Sequence, residues 1–164
     1  MKIFKEIQTF SQWWIKVLLF IPLFEALAFL INDYQKYGEI QTDSIIFLAV
    51  VFIIILFIFS CTLSVEVNEH GIYYKFFPFH LKVKTLPWEE ITDAYIRQYA
   101  PLREYGGWGI RGNSNNRAYN LKGGIGLQLE LTNGKKLLIG IQQASQLNSI
   151  LQQLKNNNHI NAIR

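Results

Sequence analysis

The sequence is poor in the residues that carry most metal and covalent chemistry. Its 164 residues hold one cysteine, Cys61, and three histidines, His70, His80 and His159. A single cysteine excludes an intrachain disulfide and a thiolate-rich zinc site, and the histidines have no partner at ligand spacing. Cys61 ends an apolar run, where it reads as a small apolar filler in preference to a lipidation site. It has no histidine base at hand, and no serine lies in a nucleophile-elbow context. Glu89 and Glu90 are sequential, so in an extended chain they diverge instead of forming an acid–base couple. The inventory points away from an enzyme, and no metal or cofactor is expected.

Charge is nearly absent from two long stretches. Residues 13–31 read WWIKVLLFIPLFEALAFLI and residues 44–63 read SIIFLAVVFIIILFIFSCTL. Each is near the ~20 residues that a helix needs to cross a ~30 Å hydrocarbon layer. Backbone groups in lipid must be satisfied within the segment, which makes residues 13–63 a two-helix transmembrane hairpin. Ala26-Leu27-Ala28 resembles a signal-peptidase site. Against cleavage, Trp13 and Trp14 suit the headgroup level and Lys16 can snorkel there, so the first span reads as an uncleaved anchor. Lys2 and Lys5 precede the hairpin, Lys36 alone lies in its loop, and twelve basic residues follow Leu63. This asymmetry predicts a multi-pass protein of the inner (plasma) membrane with both termini and the C-terminal domain cytoplasmic. Glu25 is the intramembrane polar residue, at a depth where a charge costs ~2.5–3.5 kcal/mol. It is expected to be protonated, bonded to backbone freed at the Pro22 kink, or paired with another chain, with a neutral acid satisfied locally as the plainest version.

After Leu63 the apolar residues alternate, which marks half-buried strands. TLSVEV (62–67), IYYKFF (72–77) and LKVKTL (81–86) read as a meander, with Leu81, Val83 and Thr85 on one face. Pro87-Trp88-Glu89-Glu90 bends into ITDAYIRQY (91–99), and the Gly- and Asn-rich residues 100–124 hold an irregular fifth strand near 109–111 or 117–121. IGLQLEL (125–131) and KKLLIGI (135–141) flank a Thr132-Asn133-Gly134 turn. Ala144, Leu147, Ile150, Leu151 and Leu154 then fall at helical spacing. Residues 1–12 and 156–164 are left as tails.

Six or seven antiparallel strands followed by one amphipathic helix match the plan of a pleckstrin-homology-like (PH-like) barrel. Two spans followed by NEHGIYYKFFPFH, LPWEEI and YAPLREYGGWGIR resemble a group of bacterial membrane proteins with a cytoplasmic PH-like domain and no assigned role, over most of residues 44–155. The resemblance implies an α+β membrane protein in which residues 64–155 form an antiparallel β-barrel or sandwich capped by a C-terminal helix. It brings no catalytic residues, and fold alone does not give function. Better-known PH domains take phosphoinositides through basic residues at the first strand turn. Here that turn is Asn68-Glu69-His70-Gly71, so this ligand is not expected.

Gly107-Trp108-Gly109-Ile110-Arg111-Gly112 matches the dinucleotide fingerprint letter for letter. The context is wrong: Asn113-Ser114-Asn115-Asn116 cannot open a helix, and no acid follows until Glu130. Gly106, Gly107 and Gly109 read instead as sites where a distorted strand passes close to another backbone. Arg103, Tyr105, Trp108 and Arg111 form a candidate partner-binding loop, with an Arg111–Glu104 pair as the structural alternative. Lys75, Phe76, Phe77, Phe79, Lys82 and Lys84 form a candidate membrane-contact tip, weighed against burial of the phenylalanines in the core.

The twelve basic and seven acidic residues after Leu63 form no run, and membrane attachment accounts for their sign, so no nucleic acid is expected. The expected partners are the lipid bilayer and a membrane or cytoplasmic protein, a second copy included. The expected role is a membrane-anchored, non-catalytic interaction or assembly module. The alternative is an accessory subunit of a membrane enzyme or transporter that binds a small ligand or lipid through the Trp108 loop or Glu25.

Overall fold

A computed structural model describes residues 3–158 and 160–164. Lys2, used above for orientation, and His159 lie outside the described residues. The described residues form nine strands, four α-helices and one 3-10 turn at Trp88–Glu90, divided into two units: Phe10–Cys61, and Met1–Thr9 together with Thr62–Arg164.

The first unit is a helical hairpin. Helix α1 spans Trp13–Tyr37 and α2 spans Thr42–Ser60, both long and apolar enough to cross a membrane. α1 continues past Ile31, whereas α2 stops short of Leu63 because Thr62 already belongs to a strand. Gly38 ends α1 with φ 73°, its N–H donating to the Tyr34 carbonyl at 3.1 Å. The buried Asp33 carboxylate ties the turn, accepting the Ser44 hydroxyl at 2.5 Å and the Gln41 N–H at 3.3 Å. Ala26 and Val51 are buried and Phe29 meets Phe47 edge to face at 5.9 Å, yet only 11 % of the most apolar stretch of each helix is buried.

The second unit holds two sheets. In the first, β1 (Phe4–Thr9), β2 (Thr62–Asn68), β3 (Gly71–Phe77) and β4 (Lys84–Pro87) lie in that order, all antiparallel. β1 corrects the reading of residues 1–12 as a tail. Its pattern is inverted: Glu6 and Gln8 share the buried face with Phe4, while Ile7 is exposed, so hydrophobic alternation conceals it. β4 is shorter than expected because pairing with β3 stops at Tyr74 and Lys84, which leaves Leu81 and Val83 exposed outside the strand.

The chain then runs through β5 (Ile91–Gln98), α3 (Pro101–Tyr105), β6 (Gly109–Gly112), β7 (Asn116–Asn120), β8 (Ile125–Leu131), β9 (Lys136–Gly140) and α4 (Ala144–Asn158). Both alternatives offered for the fifth strand are present, as β6 and β7. The order β5-β8-β9-β7-β6 includes a parallel β7–β9 pair, so this sheet is mixed, and the two sheets do not close into one barrel.

Leu63, Val65 and Val67 stand opposite Phe76, Tyr74 and Ile72 on the buried face of the first sheet. The second sheet adds Leu127, Leu129 and Ile139, and α4 adds Leu147 and Leu151. Each such side chain contributes roughly 1.5–3 kcal/mol by leaving water. The sheets meet at Tyr119, whose ring lies 5.3 Å from Tyr74 and 6.2 Å from Phe76. The end of the chain is no loose tail either: Ala94 pairs with Ile163, and Arg164 bonds Asp93 at 3.2 Å, covering the β5 edge.

Candidate functional site

α3 assembles a strongly polar cleft on this unit. Pro101 presets its first turn, and Gly106 ends it at φ 72° with its N–H on Leu102 and Pro101 carbonyls. Glu104 reaches back, accepting the Ala100 N–H at 2.8 Å through Oε1 and Arg97 Nη1 at 2.8 Å through Oε2. Arg97 also donates from Nε to Gln128 Oε1 at 3.0 Å and from Nη2 to the Tyr105 hydroxyl at 3.4 Å. Tyr105 in turn donates to Asn116 Oδ1 at 3.3 Å. With Tyr95 and Lys136 these side chains line an open cleft of about 490 Å³.

The electrostatics of the cleft are those of a latch. The Ala100 N–H first holds the Glu104 carboxyl below its ordinary range; burial, the next effect, opposes it, and the bond and charge of Arg97 with the charge of Arg103 add to the lowering. Burial works against the charge on Arg97, but the Glu104 bond and charge outweigh it and raise its pKa. Glu130 bonds Lys136 at 2.8 Å. The Glu104 carboxylate is bonded to a cation, and the rest of the lining offers hydrogen-bond donors and acceptors.

Of the expected loop residues, only Tyr105 enters this cleft, largely buried against Tyr99 at 6.0 Å between ring centroids. Trp108 Nε1 donates to the Gly123 carbonyl at 3.1 Å, and Arg111 Nε donates to the Trp108 carbonyl at 2.8 Å. Arg103 stays exposed on α3. The alternative Arg111–Glu104 pair does not form, because Glu104 is taken by Arg97. Arg97, Glu104, Asn116 and Gln128 were missed. The available signal was Gln128 in the middle of IGLQLEL, in register with Tyr95 on β5 and therefore on the face that Arg97 shares.

The fingerprint lies on the α3–β6 connection and β6, and a strand follows it where a dinucleotide site needs a helix. The close backbone approach expected at Gly106, Gly107 and Gly109 falls at Gly112 instead. A Cβ there would lie 2.0 Å from the Asn116 carbonyl oxygen, whereas a Cβ on Gly106 would meet nothing within 4 Å.

At the tip, Phe76 is 1 % exposed and packs 5.9 Å from Phe79, which removes it from the membrane-contact set. Phe77, Phe79, Lys82 and Lys84 are exposed and Lys75 half-buried. His80 closes the loop: its N–H donates to the Phe76 carbonyl at 2.7 Å, and its Nδ1 accepts the Phe76 N–H at 3.3 Å. Its ring stands edge-on to Tyr119 at 5.1 Å.

On α1, Glu25 is exposed beside Ala28, Phe29 and Asn32 along an open groove of about 470 Å³. Its carboxylate bonds no described residue, the backbone around Pro22 included, so the local satisfaction expected from the sequence is not seen.

No protein-family model matches the chain, and no curated protein matches it in sequence at a significant level.

Proposed function

We propose that this chain is a two-span membrane protein whose α+β domain, of PH-like build, serves as a non-catalytic interaction or assembly module at the cytoplasmic face. One observation carries the reading: β1 pairs with β2, residue Thr9 opposite Thr62, and the whole apolar hairpin is inserted between these two partners. Paired strands lie on one side of a membrane, so the inserted segment must cross it an even number of times. Two crossings meet that condition. A cleaved signal would remove β1 together with Phe4, a fully buried core residue. A core helix of a soluble protein would be mostly covered, whereas the most apolar stretches of these helices are mostly exposed.

The basic residues after Leu63 support the cytoplasmic side. The test is a pair of reporters, one at each end of the full chain, combined with carbonate extraction. Retention in the membrane with both reporters active only in the cytoplasm is the expected result. Reporters on opposite sides, or release by carbonate, would overturn it.

A second reading, a membrane accessory subunit that meets a partner through α1, is favoured by the exposed Glu25 with Asn32 on the same helical stripe. Glu25→Leu separates the two: loss of a copurifying membrane partner supports the accessory reading, and unchanged copurification removes it.

A further inference from the structure

We propose that residues 77–83 are a second lipid contact, a loop that docks on the headgroup layer of an anionic bilayer. The proposal rests on the membrane-anchored reading and adds to it a surface of stated chemistry. Four apolar side chains stand out of this one segment: Phe77 is 39 % exposed, Phe79 58 %, Leu81 78 % and Val83 56 %. In the sequence Leu81 and Val83 pass for strand residues, and they are free for this role because β4 begins only at Lys84.

Cations surround the apolar tip. Lys75, Lys82, Lys84 and Arg117 make no ion pair among the described residues, whereas Lys5, Arg97, Lys136 and Arg164 each hold a carboxylate. Lys84 Nζ lies 6.0 Å from the ring of Tyr119, the residue His80 packs against, and Lys84 and Arg117 both act on His80 at the base of the loop. The acids nearest in sequence, Glu89, Glu90 and Glu69, all lie toward the other end of the β2–β3 hairpin: Glu69 is in its turn, and Glu89 and Glu90 follow Pro87, which stands opposite Gly71. Lys75 lies over the Phe77 ring at 5.9 Å, and apolar side chains beside lysines that hold no carboxylate fit the boundary between acyl chains and anionic headgroups, where each lysine adds to binding.

Chain connectivity selects the bilayer over another apolar partner. Phe77 is in register with Thr62, and Thr62 with Thr9, so the loop leaves the sheet on the row where the chain departs into the hairpin on both sides. Thr62 is the second residue after α2 ends, about 7 Å of extended chain.

The test uses the full chain with Cys61→Ser and single cysteines at positions 53, 79 and 81, each carrying an environment-sensitive fluorophore. The protein is reconstituted into nanodiscs of phosphatidylcholine with or without phosphatidylglycerol, and brominated lipid is the quencher. Position 53, an exposed residue of α2, reports the anchor. Quenching at 53 in both lipids, with quenching at 79 and 81 that rises with phosphatidylglycerol, is the expected outcome. Lys82→Glu and Lys84→Glu are each expected to reduce the docked fraction at 81 about fivefold while leaving 53 unchanged. Quenching at 53 with 79 and 81 in bulk water in both lipids would overturn the loop contact alone. Bulk water at 53 would overturn the anchored reading and the loop contact with it.

Discussion

The carboxylate of Glu6 accepts the backbone N–H of Gln143 at 2.8 Å, joining the first strand to the start of the last helix across 137 residues of chain. The same carboxylate accepts the Gln142 N–H at 2.9 Å, and the neighbouring Gln8 donates to the Gly140 carbonyl at 2.6 Å. Amide groups ahead of α4 would otherwise lack partners, and a buried negative charge suits the N-terminal end of a helix. Glu6→Ala is therefore expected to lower stability by about 1–3 kcal/mol, read as a fall in Tm in mild detergent. Glu6→Gln retains an acceptor and should fall between. Equal Tm values for all three proteins would show that the contact contributes nothing.

This contact also explains what the sequence hides. The two apolar spans, β2, β3, β8, β9 and α4 are legible because each has one period and one buried side. β1 is not, since its inward positions carry Glu6 and Gln8, whose partners lie in the β9–α4 region. The cleft is illegible for a related reason. Arg97, Glu104 and Gln128 come together through strand register and a five-residue helix, and no spacing along the chain announces either. β6 and β7 are blurred by glycine and asparagine, which carry hairpin geometry and little hydrophobic signal.

The glycine fingerprint makes a graded prediction. Gly112 has φ 82° and no room for a Cβ, so Gly112→Ala combines a disfavoured backbone with a backbone clash. Gly106 has φ 72° with open space around it, so Gly106→Ala costs only the conformational penalty, roughly 1–2 kcal/mol. Gly112→Ala should reduce Tm clearly more than Gly106→Ala. The reverse order would mean that the β6–β7 hairpin is not held as described.

Acidification should act through His80. Burial first, then the charges of Lys84 and Arg117, push its pKa below the ordinary 6.5. Its Nδ1 accepts the Phe76 N–H, a role that a proton at that atom would end. The unfolded chain then binds the proton more readily than the folded one, so stability falls as pH drops from about 6.5 through the lowered folded value. His80→Asn should flatten the dependence of Tm on pH between 7 and 5, a window set by the ordinary histidine value of about 6.5. A slope unchanged by the substitution would assign the acid sensitivity to other groups.

Arg97 and Glu104 should behave as one latch on α3. Glu104 holds Ala100 and Arg97 at once, and Arg97 continues to Gln128 on β8, so losing either side chain frees the short helix from the sheet. Both side chains are part exposed, 27 % and 39 %, which limits the expected coupling to about 1 kcal/mol in a double-mutant cycle of Arg97→Ala and Glu104→Ala. The pH dependence has a fixed sign. The folded pKa of Glu104 lies below its unfolded value of 4.5, so its contribution is complete above that pH and lost as pH falls through the folded value. The coupling should accordingly be present at pH 7 and fade below about pH 4.5. Coupling that is absent at pH 7, with Tyr105 fluorescence unchanged in Arg97→Ala, would mean that Pro101 and Gly106 alone hold α3 in place.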